Sequence, residues 1–150
     1  MHRRLLLAAA AALGLPAGAS AQTPQLDPEN TLYMDLKDGR VVIQMLPQIA
    51  PNHVARIKEL VRKGFYDNTP FHRVIDGFMI QGGGFTTDFK QKPTKAPIPI
   101  ESESSSKAGL TNVPGSIAMA RTSDPNSATS QFFINVADNQ RLNYTPGNPG

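Results

Sequence analysis

The residue pattern predicts one mostly-β domain, a barrel or a sandwich, with a single well-marked helix. Three observations predict it. Thr31 to Met45 alternates apolar and polar residues about Asp38-Gly39, four further apolar runs of strand length follow (71–75, 78–81, 116–120 and 131–136), and only the stretch opening at Pro51 repeats apolar residues at helical spacing. With 150 residues there is room for one such domain. The absence of cysteine excludes a disulfide scaffold, a thiol nucleophile and any Cys-based zinc or iron-sulfur site, so the core comes from packing alone. At 18% charged residues and net charge +3 the chain is a soluble globular domain by default, neither a disordered polyelectrolyte nor an evident nucleic-acid binder.

The first 21 residues read as a cleaved secretory signal peptide. His2, Arg3 and Arg4 precede an apolar run from Leu5 to about Leu15, and Ala19-Ser20-Ala21 supplies small residues at the cleavage spacing. The run falls well short of the roughly 20 residues a bilayer span needs, so no membrane anchoring is expected. The surroundings of Arg3-Arg4 match twin-arginine export poorly, which favours the general secretory route and a periplasmic location. Cleavage after Ala21 would remove two of the 15 basic residues and none of the 12 acidic ones, leaving a net charge of +1.

Residues 22–30 are a polar, Pro-containing lead-in without periodicity, read as a short flexible arm, and the domain proper is placed at 31–150. Leu32, Met34 and Leu36 fall on one face of a first strand, and Val41, Ile43 and Met45 resume the pattern after Asp38-Gly39, a strong hairpin signal. The helix has Pro51 in its first turn, an apolar stripe of Val54, Ile57, Leu60 and Val61, Glu59 four residues ahead of Lys63, and Gly64 as terminator. Phe71 to Ile75 and Phe78 to Gln81 form a second strand pair around Asp76-Gly77, ended by Gly82-Gly83-Gly84. Thr86 to Pro114 is irregular, rich in Pro and Ser, and must be functional or packed on the surface. The runs 116–120 and 131–136 flank a polar loop, 122–129.

Familiar catalytic arrangements are missing. No two histidines have ligand spacing, so a metal is not expected. Ser116, Ser127 and Ser130 lack a nucleophile-elbow context, and no Lys-Ser or Lys-Thr follows the triple glycine to make a phosphate cradle, which leaves a tight strand exit. His72 reads as structural. By periodicity alone, Phe78, Met79 and Phe133 would be core residues and Arg73 a solvated strand residue.

Taken jointly, the segments 71–83 (FHRVIDGFMIQGG), 115–120 (GSIAMA) and 130–135 (SQFFIN) change those assignments. They resemble the signature segments of the cyclophilin family of peptidyl-prolyl cis-trans isomerases (EC 5.2.1.8), with the likeness running from about Thr31 to about Gly150 and strongest for bacterial exported members. The resemblance implies an antiparallel β-barrel capped by helices, with a peptide groove on its outer surface. It also implies that Arg73 and Gln81 are catalytic and that Phe78, Met79, Phe133 and Leu142 line a proline slot. Gln131 would hold the substrate backbone together with Gln81, and Ala120 and Arg121 would flank the neighbouring residue's site. Implied partners are proline-containing unfolded or flexible polypeptides, with cyclosporin-like cyclic peptides as a further ligand class, acting on a monomer without cofactor, nucleic acid or membrane.

These residue types suit the reaction. Rotation about an X-Pro bond faces a barrier of about 18 to 20 kcal/mol and takes tens of seconds unaided, yet breaks no bond. As the amide twists, its nitrogen lone pair localises and accepts a hydrogen bond, so a fixed guanidinium stabilises the transition state more than the planar ground state. Arginine stays charged at any ordinary pH, so the step needs no tuned proton. Raising a rate near ~0.01 to ~1,000 per second requires roughly 7 kcal/mol, more than one hydrogen bond supplies, and desolvation and shape selection must share the work.

Two departures from the family pattern stand out. Arg141 occupies a position that is commonly aromatic, altering the far wall of the slot. The segment after Asn148-Pro149-Gly150, which in the family supplies further barrel strands and a second helix, is lacking, so a C-terminally truncated member with an incomplete barrel is expected. The alternative reading is a non-catalytic proline-peptide binding module or an inactive fragment.

Overall fold

The computed structural model describes residues 25–150; the proposed leader lies outside the described residues. Six strands form two antiparallel sheets: β1 (Thr31–Leu36) with β2 (Gly39–Gln44), and a four-stranded sheet in the order β3-β4-β6-β5, made of β3 (Phe71–Ile75), β4 (Met79–Gly82), β5 (Ile117–Met119) and β6 (Phe132–Asn135). The architecture is mostly β, as expected. The expected barrel is not closed among the described residues, because no strand bridges the two sheets.

The hairpin pairs Leu32 with Ile43 and Met34 with Val41 on one face, following the alternation in the sequence. Its two loop residues are Lys37 and Asp38, one position earlier than the Asp-Gly pair suggests. Gly39 opens β2 at φ 146°, where a side chain is disfavoured, and so takes up the bend itself. On the opposite face Arg40 pairs with Asp35 at 2.6 Å and lies over the Tyr33 ring. The lead-in ends in a 3-10 turn, Pro28–Asn30, capped by Asp27; Glu29 pairs with Lys58 and Arg62, and the Met45 amide donates to the Asn30 carbonyl.

Helix α1 (Pro51–Arg62) begins with Pro and buries Val54 and Leu60. Its end satisfies its own carbonyls: Gly64 at φ 64° donates to Val61, and Phe65 donates to Leu60. Its start has no local side-chain cap. Glu101, 49 residues on, instead accepts from the Asn52 amide at 2.9 Å and, at 3.0 Å, from that of His53. Glu59 lies between Lys63 and Lys95, whose hydrogen bonds hold its carboxyl down to about 2.

The irregular span contains a helix that the sequence reading did not place, α2 (Ser102–Lys107). Serine favours caps and turns, and no apolar stripe marks the segment, so neither propensity nor periodicity signals it. Side-chain ties hold it: the Ser104 hydroxyl donates to Ile49 O and the Ser102 hydroxyl to Pro149 O. The rest of the span is stapled by bridges between Phe85 and Gln91 and between Ile98 and Ala128.

The small apolar core comprises Met45, Val54, Leu60, Met79, Ile98 and Ala128. Beside it, Tyr66 meets Phe65 and Phe132 edge-on, and Phe132 meets Phe71. Such pairs contribute about 0.5 to 1.5 kcal/mol each beyond area burial. The Tyr66 hydroxyl donates to Ser130 O at 2.7 Å, and burial pushes its pKa up.

Candidate active site

Register builds the site. Across the four-stranded sheet, Arg73 pairs with Gln81, Gln81 with Phe133, and Phe133 with Ala118; one step away, Met79 pairs with Asn135. Directly opposed residues share a sheet face, so a guanidinium, an amide and an aromatic ring stand in one row. A bulge makes this possible. Between Phe71 and Arg73 the register slips, and His72 is the extra residue. Phe71 therefore turns to the other face, against Phe132, while Arg73 keeps its place over the row.

Arg73 Nη1 donates to Gln81 Oε1 at 3.3 Å, and Gln81 Nε2 donates to Gln131 Oε1 at 2.9 Å. This amide relay orients an otherwise exposed cation. A cleft of roughly 930 Å3 is bordered by Arg73, Phe78, Met79, Gln81, Ala120, Arg121, Phe133 and Leu142, and it extends to β2, where Val41 and Ile43 also line it. Met79 is buried at its floor, while Phe78 and Phe133 are half-buried. Gln131 does not border the cleft. It stands behind Gln81, in the space that Gly84 leaves open: a Cβ on Gly84 would come within 2.5 Å of the Gln131 side chain. Gly83, at φ 84°, would drive a Cβ to 2.9 Å from Ser130 O, so the triple glycine is both a strand exit and the seat of the relay.

His72 lies outside the cleft, its ring 4.4 Å from that of Phe85 and its Nδ1 buried without a partner. Burial and the adjacent Arg73 charge hold its pKa below the ordinary value, with an opposing contribution from the Gln131 side chain. Its structural reading fits this packing.

Sequence reasoning missed a buried amide network beneath the slot. Asn139 Nδ2 donates to Phe78 O and to Asn135 Oδ1, and Asn135 Nδ2 donates to Asn112 Oδ1 and Ser116 Oγ. Asn112 Nδ2 in turn donates to Leu142 O. Two slot walls distant in sequence, Phe78 and Leu142, are thus fixed by one set of hydrogen bonds. The available signal was an unusual density of asparagine beside apolar strands, which by itself suggests only turns. Arg141 was noted as a departure; the structure sets its guanidinium 4.6 Å from the centre of the Phe78 ring.

Among the described residues no cluster of three His, Cys, Asp or Glu side chains is placed to hold a metal ion. The site is thus an apolar cleft beside an antiparallel sheet, bordered by a guanidinium that an amide relay orients. The model of the cyclophilin type peptidyl-prolyl cis-trans isomerases matches residues 31–146, and the chain belongs to that family. It is 50% identical to a peptidyl-prolyl cis-trans isomerase of Streptomyces antibioticus over 80% of this chain and 70% of that protein. A cyclophilin from Hirschia baltica superposes with a TM-score of 0.68 at 29% identity, covering 79% of this chain and 61% of the other. A Cryptosporidium parvum cyclophilin, solved in the presence of the dipeptide Ala-Pro, has a TM-score of 0.62 at 26% identity, covering 75% and 72%. The chain spans 57 to 73% of the length of several curated bacterial relatives.

Proposed function

We propose that this chain accelerates cis-trans isomerisation of X-Pro bonds in unfolded or flexible exported proteins of the periplasm. The observation that carries the reading is the row Arg73, Gln81, Phe133 on one sheet face, with Met79 and Phe78 bordering the same cleft: one donor, one relay and an apolar slot side by side. A proline ring seated against Phe78, Met79 and Phe133 leaves water, and its amide nitrogen faces Arg73 as the bond twists. The Gln81–Gln131 relay pre-positions the guanidinium, so little reorganisation is needed at the transition state. Cyclosporin-like cyclic peptides would compete for the same slot.

The periplasmic location is supported by the basic, apolar and small-residue order of residues 1–21. N-terminal sequencing of exported protein should begin at Gln22; a retained leader in envelope fractions would refute the location. For the activity, a chromogenic X-Pro peptide assay on the whole chain should show isomerisation above the uncatalysed rate. Binding of the peptide without acceleration would support a proline-peptide binding module instead.

A further inference from the structure

We infer that Arg141 is a specificity-determining residue that directs the slot to prolines flanked by acidic residues; this rests on the isomerase reading. Three arginines stand at or beside the slot: Arg73 and Arg121 border the cleft, and Arg141 reaches it through the Phe78 ring, over which its guanidinium lies. None of them pairs with a carboxylate among the described residues. Arg40 and Arg62, by contrast, pair with Asp35 and Glu29. Arg73 is tied only to Gln81, and Arg121 Nη1 donates to the Thr122 carbonyl at 2.8 Å. The hydrogen bonds of Arg73 and Arg121 are thus to neutral groups, which orient the cations without neutralising them.

The nearby acids keep their charge but form no ion pair with these arginines among the described residues. Glu101, which borders the cleft, is occupied by the first amides of α1. Asp124 accepts from the Asn126 amide, and Asp138 from the Gln140 side chain. The slot therefore presents an apolar floor beside a rim of three arginines that have no ion-pair partner among the described residues. A peptide that seats a proline in it places its flanking side chains near that rim. Carboxylates there gain Coulomb energy, and lysines lose it. The Arg141 guanidinium lies 4.6 Å from the centre of the Phe78 ring and makes no ion pair or side-chain hydrogen bond among the described residues, so its N–H donors are available to a ligand.

The test uses the whole chain and three otherwise identical fluorescent peptides with Glu-Pro-Glu, Ala-Pro-Ala or Lys-Pro-Lys at the centre, titrated at low and at high salt. Affinity should fall in that order, with Glu over Lys by about tenfold at low salt and most of the gap lost at high salt. Arg141→Gln and Arg141→Phe should each narrow the ratio at least threefold, and Arg141→Lys should retain most of it, with circular dichroism confirming that each variant is folded. Binding of the neutral peptide without a charge order, or an unchanged ratio in Arg141→Gln and Arg141→Phe, would overturn this inference and leave the isomerase reading standing. A parent that binds none of the three overturns both.

Discussion

The two sheets of this molecule solve different problems. The β1–β2 hairpin pairs residues close in sequence, with a register that the local alternation and one glycine impose. It leaves much of its surface to solvent: Tyr33 is 61% exposed and Val42 48%. The four-stranded sheet joins β4 to β6 across some fifty residues of chain and has polar groups, Ser130 and Asn135, buried to 1% exposure or less beside it. Pairing at long range costs more loop-closure entropy, and a mispaired register would misplace the slot. The buried asparagines favour the observed register, in which their side-chain amides find partners on neighbouring segments. Local pairing is sufficient to make a hairpin; a site assembled from four strands needs a polar lock.

The sharpest way to break this contrast is Asn135→Ala. It removes two donated hydrogen bonds and leaves one N–H of the Asn139 side chain, still bonded through the other to Phe78 O, without its acceptor, so stability should fall by about 2 to 4 kcal/mol in thermal or denaturant unfolding. A loss below about 1 kcal/mol would show that the network does not hold the sheet. Next is Arg73→Ala, for which turnover of an X-Pro peptide should drop at least tenfold while stability changes by less than about 1 kcal/mol. Equal turnover in variant and parent would remove Arg73 from the mechanism.

A smaller effect concerns His72 at the bulge. Its folded pKa lies below the ordinary 6.5, so on acidification the unfolded chain takes up the proton first. The contribution is full above about pH 6.5 and is lost as pH falls through that value toward the lower folded one. The melting temperature should therefore fall between pH 7.5 and 5.5 by more in the parent than in His72→Gln; identical profiles would contradict the burial argument. Smallest of all is Val42→Thr on the outer face of the hairpin, expected within about 0.5 kcal/mol of the parent. A large loss there would mean that this face is packed in solution.

Much was legible beforehand, for identifiable reasons. Hairpin, helix and strand pairs follow from short-range periodicity, and Pro51 and Gly64 bracket α1 because one lacks an N–H and the other tolerates positive φ. The site residues of β3, β4 and β6 were legible only jointly, since each alone looks like core or surface. Helix α2 was hidden because its serines carry no stripe, and the turn at Lys37-Asp38 because Gly39 bends within the strand rather than inside the loop.

By itself, then, the sequence determined the local elements, the family and the residue types available for catalysis, because these depend on neighbours within a few positions or on contiguous motifs. Tertiary structure decided the rest. It placed Glu101 at the start of α1, swung Phe71 inward through the bulge at His72, stood Gln131 behind Gln81 in the space left by Gly84, tied Phe78 to Leu142 through Asn139, Asn135 and Asn112, and laid Arg141 on the Phe78 ring. Each of these contacts except the turn-like step from Asn135 to Asn139 joins residues remote in the chain, and their energies come from burial and hydrogen-bond satisfaction that exist only once the sheets have formed.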